Sequence, residues 1–514
     1  MLLSMLFSMS NKRSTSRSKV IISGLIWSVI QNAVNILYGL VAVPFLIGFY
    51  GKEEYGLIGL ALSVNAYMTL LDMGMANSNV RFFSEYLAKG DSKKVQDLFS
   101  LTHLIYVCIG VGNTILLIIL SLFVDSFFNI NQDQAGTLKN LILILALNAT
   151  FSWISICYDQ FLRANELIDW IKKRATFLKL MLFLVLLCAI LLKWPIEWYF
   201  FGFTFMGTII LPLTLIKTHK VMPSLRFELH FNRELFNIIF PYALSLFSFG
   251  IFHFIVITSR PIFLGHLLGA GAVAEFNVML TITSVVTVFT ASLIQVLLPI
   301  LTKLKVTNND GGIQAILMQG TKYITIFITF LILILIISMQ EILKIYVGID
   351  FIHLTSWLVL WLLTLLLSHR NVMTALVFTE KKLKSIAYMG GGAMATALIT
   401  YSILVPRIGV GGIIVGWAIH ELIHTLFYYC YFFPRRFNIN TQIIFVRSVF
   451  PSWSLLGIAS IIIYVCVSLM ALPCVYSLIL KTLLAVVVFG VIIWFHMLNG
   501  NDKKIVLSVI RKNR

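Results

Sequence analysis

Charge is what this sequence has little of. Asp, Glu, Lys and Arg together make up 12% of its 514 residues, about half the share of an ordinary soluble domain. The 59% of hydrophobic residues gather in runs of 18 or more, long enough to cross a bilayer as helices. Composition therefore excludes a soluble protein and points to an all-α polytopic membrane protein. Acids are scarcer still, 21 against 39 Lys and Arg. In a membrane chain, a net charge of +18 reads as the basic residues that hold loops in the cytoplasm, with no nucleic-acid partner implied. Cysteines are few and isolated. Cys108, Cys157, Cys188, Cys430 and Cys466 sit in apolar runs and Cys474 in a short turn, without metal or redox spacing, so they read as packing residues. A cleaved signal peptide is not expected, because the basic cluster Lys12, Arg13, Arg17 and Lys19 follows the apolar start instead of preceding it. A nucleotide loop is missing too. The glycine-rich stretches 390–392 and 409–416 lack the Lys-Ser/Thr that would follow a phosphate cradle; they suit close helix approach. No cofactor is expected, and transport would draw on a coupling ion, H+ or Na+, or on substrate asymmetry.

What is present divides into fourteen apolar spans, at roughly 24–48, 57–80, 98–124, 138–162, 176–192, 198–216, 238–264, 276–301, 320–342, 354–378, 386–404, 411–433, 450–471 and 477–498. The expected organisation is a basic tail (1–23), a six-helix lobe (24–216), a polar linker (217–237), a second six-helix lobe (238–433), two further helices (434–498) and a basic tail (499–514). With the N-terminus in the cytoplasm, alternate segments collect 30 of the 39 Lys and Arg, against six on the other side. That bias orients the chain with both termini cytoplasmic. The longest outer loop, 125–137, has thirteen residues. It leaves no room for the outer domain that a sugar-polymerising enzyme needs, so no enzyme is expected.

The halves echo each other. Pro44 pairs with Pro261, Arg81 with Pro299 and Asp91 with Asp310, at offsets of 217, 218 and 219 residues. Two of the three pairs match in identity, and the near-constant offset argues for a duplicated membrane unit.

The turn Gly51-Lys-Glu-Glu-Tyr-Gly56, the run Leu71-Asp-Met-Gly-Met-Ala-Asn-Ser-Asn-Val-Arg81 and the pair Gly90-Asp91 resemble the polysaccharide flippases, including O-antigen unit translocases, of the multidrug/oligosaccharidyl-lipid/polysaccharide exporter superfamily. The second half carries an analogous Ser259-Arg260-Pro261, then Gly265 and Phe276. Ser259 stands where many relatives have an acid. The resemblance implies two six-helix lobes that rock around a central cavity. It also implies a polyprenyl-pyrophosphate-linked oligosaccharide as cargo, moved across the cytoplasmic (inner) membrane for surface polysaccharide or lipopolysaccharide synthesis. Glycosyltransferases and a polysaccharide polymerase would be partners. A wet cationic cavity would shelter the sugar and pyrophosphate while the tail stays among the membrane lipids. A drug exporter of the same superfamily is the alternative, which the few intramembrane acids disfavour.

Ionisable side chains at membrane depth cost about 2.5–3.5 kcal/mol each on insertion scales, so they face protein or a cavity. Arg81, Arg163 and Arg260 are candidates for holding pyrophosphate through bidentate guanidinium contacts. Arg81 could instead snorkel to headgroups, and Arg163 could pair with Asp159 four residues earlier. His253 lies seven residues before Arg260 on the same helical face. Asn32 and Asn35 share a face and could touch sugar or join helices. Asp72 could tune the cavity, pair with an arginine or carry a coupling proton. His369-Arg370 lies mid-span and is a weaker candidate. His420-Glu421-Leu422-Ile423-His424 spells a zinc-protease motif. Beyond His424 the only acid is Asp502 and the only histidine is His496, and zinc needs a third protein ligand. No metal is expected, therefore, and the three ionisable residues would line a wet cavity or titrate together.

Overall fold

The computed structural model describes residues 15–503, apart from 227, 229, 307–309, 378–383, 438, 471, 499, 501 and 502. Most of both expected tails, residues 1–14 and 504–514, lies outside them. Among the described residues the fold is all-α, with no strand. Thirteen helices are long and apolar enough to cross a bilayer, and one bent pair makes a fourteenth. They fall at the fourteen positions read from hydropathy.

The described parts of Ser14–Val278 and Leu398–Ile413 form one compact unit. It holds α1 (Thr15–Tyr50), α2 (Lys52–Met68), α3 (Met75–Ala88), α4 (Ser92–Ser121), α5 (Gln132–Ala164), α6 (Ile168–Leu191), α7 (Ile196–Val221), α8 (Arg233–Leu267) and the start of α9 (Ala270–Val306). The described parts of Met279–Ala397 and Ile414–Arg514 form the other. It holds the rest of α9, then α10 (Asp310–Ile337), α11 (Met339–Tyr346), α12 (Thr355–Leu365), α13 (Asn371–Val377), most of α14 (Lys384–Ile408) and of α15 (Gly411–Leu426), α16 (Phe450–Ser468) and α17 (Cys474–Ile492).

Helix starts follow capping chemistry. The Asp91 carboxylate accepts from the Lys94 N–H at 3.0 Å and opens α4. Asn131 and Gln134 form a reciprocal box at the head of α5, and Asn232 caps α8. In the second half Asp310, the repeat partner of Asp91, begins α10. Pro44 and Pro261 both lie inside long helices, α1 and α8.

Two expectations gain detail. First, α1 begins at Thr15, so the end of the expected tail, including Arg17 and Lys19, is already helical. Second, the second span is not one straight helix over 57–80. It breaks after a 3-10 turn, Thr69–Asp72, and bends by 45°. Met73 (φ 45°) and Gly74 (φ 80°) are left-handed there. A Cβ on Gly74 would stand 2.4 Å from the Ala243 carbonyl oxygen, so glycine serves both the conformation and the close approach. Later spans are also irregular. The tenth passes through a 3-10 turn, Leu366–Arg370, and the twelfth through a π-helical turn, Phe427–Phe432. Such breaks are common at functional positions in helices.

Each unit has its own apolar core. In the first, Phe83, Phe99, Phe161 and Tyr106 are fully buried, and Phe83 meets Phe161 edge to face at 5.7 Å. Gln96 brackets the backbone of Arg226 with two hydrogen bonds of 2.9 Å, fixing the connection between α7 and α8 against α4. In the second, Ile326, Leu333 and Ile337 of α10 pack with Leu456 and Ile463 of α16 and Phe489 of α17. Large apolar side chains such as Leu191, Ile462 and Val487 stand exposed, as lipid-facing residues do.

Candidate functional site

Within the first unit, the break between α2 and α3 presents Asp72 to a buried polar chain. Its carboxylate accepts from the Tyr106 hydroxyl at 2.6 Å and from the Ala76 N–H at 3.1 Å. The Gln160 amide nitrogen donates to the Tyr106 hydroxyl at 2.6 Å, and Asn79 donates to the Gln160 carbonyl oxygen at 2.9 Å. Asn79, Tyr106 and Gln160 are buried, and the Tyr106 ring stacks on Trp153 at 5.8 Å. Of the three roles open to Asp72, pairing with an arginine is not what the geometry shows, since a phenol and a backbone amide occupy it. The relay of Asn79, Gln160 and Tyr106 is not legible in the sequence, although Asn79 sits inside the run Leu71–Arg81 and Gln160 follows Asp159. Their side chains meet 81 residues apart, a pairing that no local spacing encodes.

Asp159 is also committed, and to an unexpected partner. Arg174 grips both its carboxylate oxygens at 2.7 Å and donates to Thr214 at 2.5 Å. The suggested Asp159–Arg163 pair is therefore corrected. The chain reverses after α5 through the left-handed Glu166 (φ 61°), and α6 brings Arg174 back alongside α5. Arg163 is left exposed. Arg81 is exposed as well, its guanidinium 4.3 Å from the ring centroid of Tyr242. Neither Arg81 nor Arg163 makes an ion pair among the described residues.

Arg260 is buried, donates through Nε to the Ile257 carbonyl at 3.0 Å and lies 5.5 Å from the Phe276 ring centre. His253, on the same helical face, is exposed, so one face spans two environments. Asn32 and Asn35 are half-buried on α1, and the Asn35 side-chain oxygen is buried with no hydrogen-bond partner among the described residues.

Within the second unit, Arg370, the weaker candidate, is committed to partners. It is buried and meets Glu421 at 2.8 Å and the Thr425 hydroxyl at 3.0 Å. His420 Nδ1 lies 3.5 Å from the other Glu421 oxygen, its ring stacked on Trp417 at 5.2 Å and 4.4 Å from that of His424. A carboxylate gripped by a guanidinium is a poor general base, so the geometry of Glu421 does not suit the protease reading.

A profile of polysaccharide biosynthesis proteins matches residues 21–305, more than half of the chain. The chain belongs to that family. No curated protein matches its sequence. Its fold is similar to that of a lipid II flippase MurJ in an inward closed conformation, with TM-score 0.71 and 13% identity over 91% of this chain and 99% of that one. It is also similar to an inward-facing multidrug resistance MATE transporter of the MOP superfamily, with TM-score 0.61 and 15% identity over 82% of this chain and 98% of that one. A MOP superfamily transporter from Pyrococcus furiosus gives TM-score 0.57 and 13% identity over 83% and 96%. At such identities the likeness establishes the fold. The match to polysaccharide biosynthesis proteins takes in Asn32, Asn35, Asp72, Arg81, Asp159, Arg163, His253 and Arg260, and ends before Arg370 and Glu421. The polar chain behind Asp72 thus belongs to the part shared with the family, and the His-Glu-x-x-His segment does not.

Proposed function

We propose that this polysaccharide biosynthesis protein flips a polyprenyl-pyrophosphate-linked oligosaccharide from the cytoplasmic to the outer leaflet of the inner membrane, its lobes alternating access to a cationic cavity. The observation that carries the reading is the family match over residues 21–305, on a fold also found in a lipid II flippase. The electrostatics support it. Asp159 and Glu421 are engaged by Arg174 and Arg370, while Arg81 and Arg163 stand exposed with no carboxylate partner among the described residues. Exposed guanidinium groups suit a diphosphate. Asp72, hydrogen-bonded inside a lobe, is the proposed site for a coupling H+ or Na+. Glycosyltransferases that build the cargo and a polymerase that uses it are the proposed partners.

Export of surface glycan in cells tests the assignment. Arg81→Ala at normal expression should lower export at least tenfold, Arg81→Lys less, and Arg260→Ala should also reduce it. Full export from both alanine variants would sink the site. The superfamily also contains multidrug transporters of this fold, but Asp72, Asp159 and Glu421 all have partners, which leaves little to attract a cationic drug. Efflux of a cationic dye at a rate matching sugar-lipid export would reverse that judgement.

A further inference from the structure

A second cationic feature is lined by neither Asp72 nor Arg81. Between the head of α6 and the end of α7 is a cavity of about 360 Å³. Lys173 and Arg174 reach it from α6, and Lys217 and Lys220 from α7. Two of these charges are already balanced: Arg174 by Asp159 at 2.7 Å and Lys173 by Asp169 at 3.1 Å. Lys217 and Lys220 make no ion pair among the described residues. They sit three apart on one face near the C-terminus of α7, where the helix dipole favours cations. The dipole accounts for their presence there, but not for their convergence with two cations from another helix on one hollow. The remaining walls are Trp170, Phe177, Leu213 and Ile216. The last three are exposed apolar side chains, of the kind that faces acyl chains. Trp170 is the kind of ring that marks the membrane interface. The hollow is therefore positive at its polar end and greasy along its flank.

We infer that this cavity is a binding site for one anionic phospholipid, its phosphate held by Lys217 and Lys220 and one chain lying along Phe177, Leu213 and Ile216. A zwitterionic lipid would bring its own cation to a site that already holds two unbalanced ones. A soluble phosphate would leave the apolar flank unused. The bound lipid would bridge α6 and α7, and the site is distinct from the arginines proposed to meet cargo.

Native mass spectrometry of the full protein released from detergent tests this, with dioleoyl phosphatidylglycerol and dioleoyl phosphatidylcholine supplied in equal amounts. Wild type should retain one phosphatidylglycerol in preference to phosphatidylcholine. The double variant Lys217→Ala/Lys220→Ala should hold it roughly thirtyfold more weakly, from between about fivefold and sixfold per lysine. The double variant Lys217→Arg/Lys220→Arg should hold it like wild type. Both lysines end a helix and are at least partly exposed, so the variants should fold, and unchanged thermal unfolding verifies it. Equal retention of phosphatidylcholine, or no loss in the alanine variant, overturns the proposal. Displacement of phosphatidylglycerol by millimolar inorganic pyrophosphate overturns it too, since the site would then take phosphate without its lipid.

Discussion

The Asp159–Arg174 pair shows how much one carboxylate can decide in a chain with so few. Both oxygens are held at 2.7 Å, with side-chain exposures of 21% and 12%. Such a fork combines two charge-assisted bonds with little loss of side-chain freedom. Removing one partner leaves a partly buried guanidinium unbalanced, which costs about 2–3 kcal/mol when burial is incomplete. Asp159→Asn should therefore destabilise the purified protein markedly, whereas Arg163→Ala, at an exposed helix end, should stay within about 0.5 kcal/mol. Thermal unfolding of the two variants in one detergent checks this; equal losses would restore the four-residue pairing. The sequence favoured Arg163 because i,i+3 and i,i+4 spacings are the pairing rules readable along a helix, and Arg163 is four residues on. Arg174 is fifteen residues away and becomes a neighbour only once α5 and α6 fold back on each other. Arg370 and Glu421, 51 residues apart, were hidden in the same way, although each was noticed singly.

At the scale of elements, the spans were legible because an 18-residue apolar window is a strong, local signal. The break at Met73–Gly74 was not, since glycine is common in membrane helices and a left-handed methionine leaves no mark in composition. Nor did the sequence suggest what anchors the last two helices. The Lys481 ammonium of α17 donates to Glu341 of α11 at 2.5 Å, and the Ser477 hydroxyl to the same oxygen at 2.8 Å. By charge count alone Lys481 is one of the six basic residues expected on the outer side. Burial alone would push the Glu341 carboxyl up, but hydrogen bonds from Lys481, Ser477 and its own backbone outweigh it and hold the group below its ordinary 4.5. A depressed carboxyl contributes stability that is complete above its ordinary value and lost as pH falls through the folded one. The stability gap between wild type and Glu341→Gln should therefore be constant from pH 7 to about pH 5 and shrink below 4.5. Thermal unfolding across that range measures it. A gap that persists unchanged at pH 3 would mean that the carboxylate's charge does not hold α17 in place.

For the whole molecule, the scarce charges do two jobs that composition alone cannot separate. Some are paired inside the units, such as Lys52 with Glu275 at 2.7 Å and Lys481 with Glu341. Both of these lysines belong to the six expected on the outer side, so two of the exceptions to the charge bias have carboxylate partners that lessen their pull on orientation. Most of the remainder should set orientation, since short basic loops resist translocation far more than neutral ones. Fourteen spans, an even number, would put both ends of the chain on one side, and the expected 30-to-6 distribution of Lys and Arg argues that this side is the cytoplasm. Fusions read this out directly. Green fluorescent protein joined after Arg514 should fluoresce, and alkaline phosphatase joined there should be inactive. Inserted in the loop between α4 and α5, near Asn131, phosphatase should be active. Joined after Lys220 it should again be silent, because three spans separate that point from the outer loop and return the chain to the cytoplasm. Active phosphatase at Arg514 together with a silent insertion at Asn131 would invert the molecule. The exposed Arg81 and Arg163 would then face the outer leaflet, where no cargo waits to be taken up, and the proposed direction of flipping would fail with the topology.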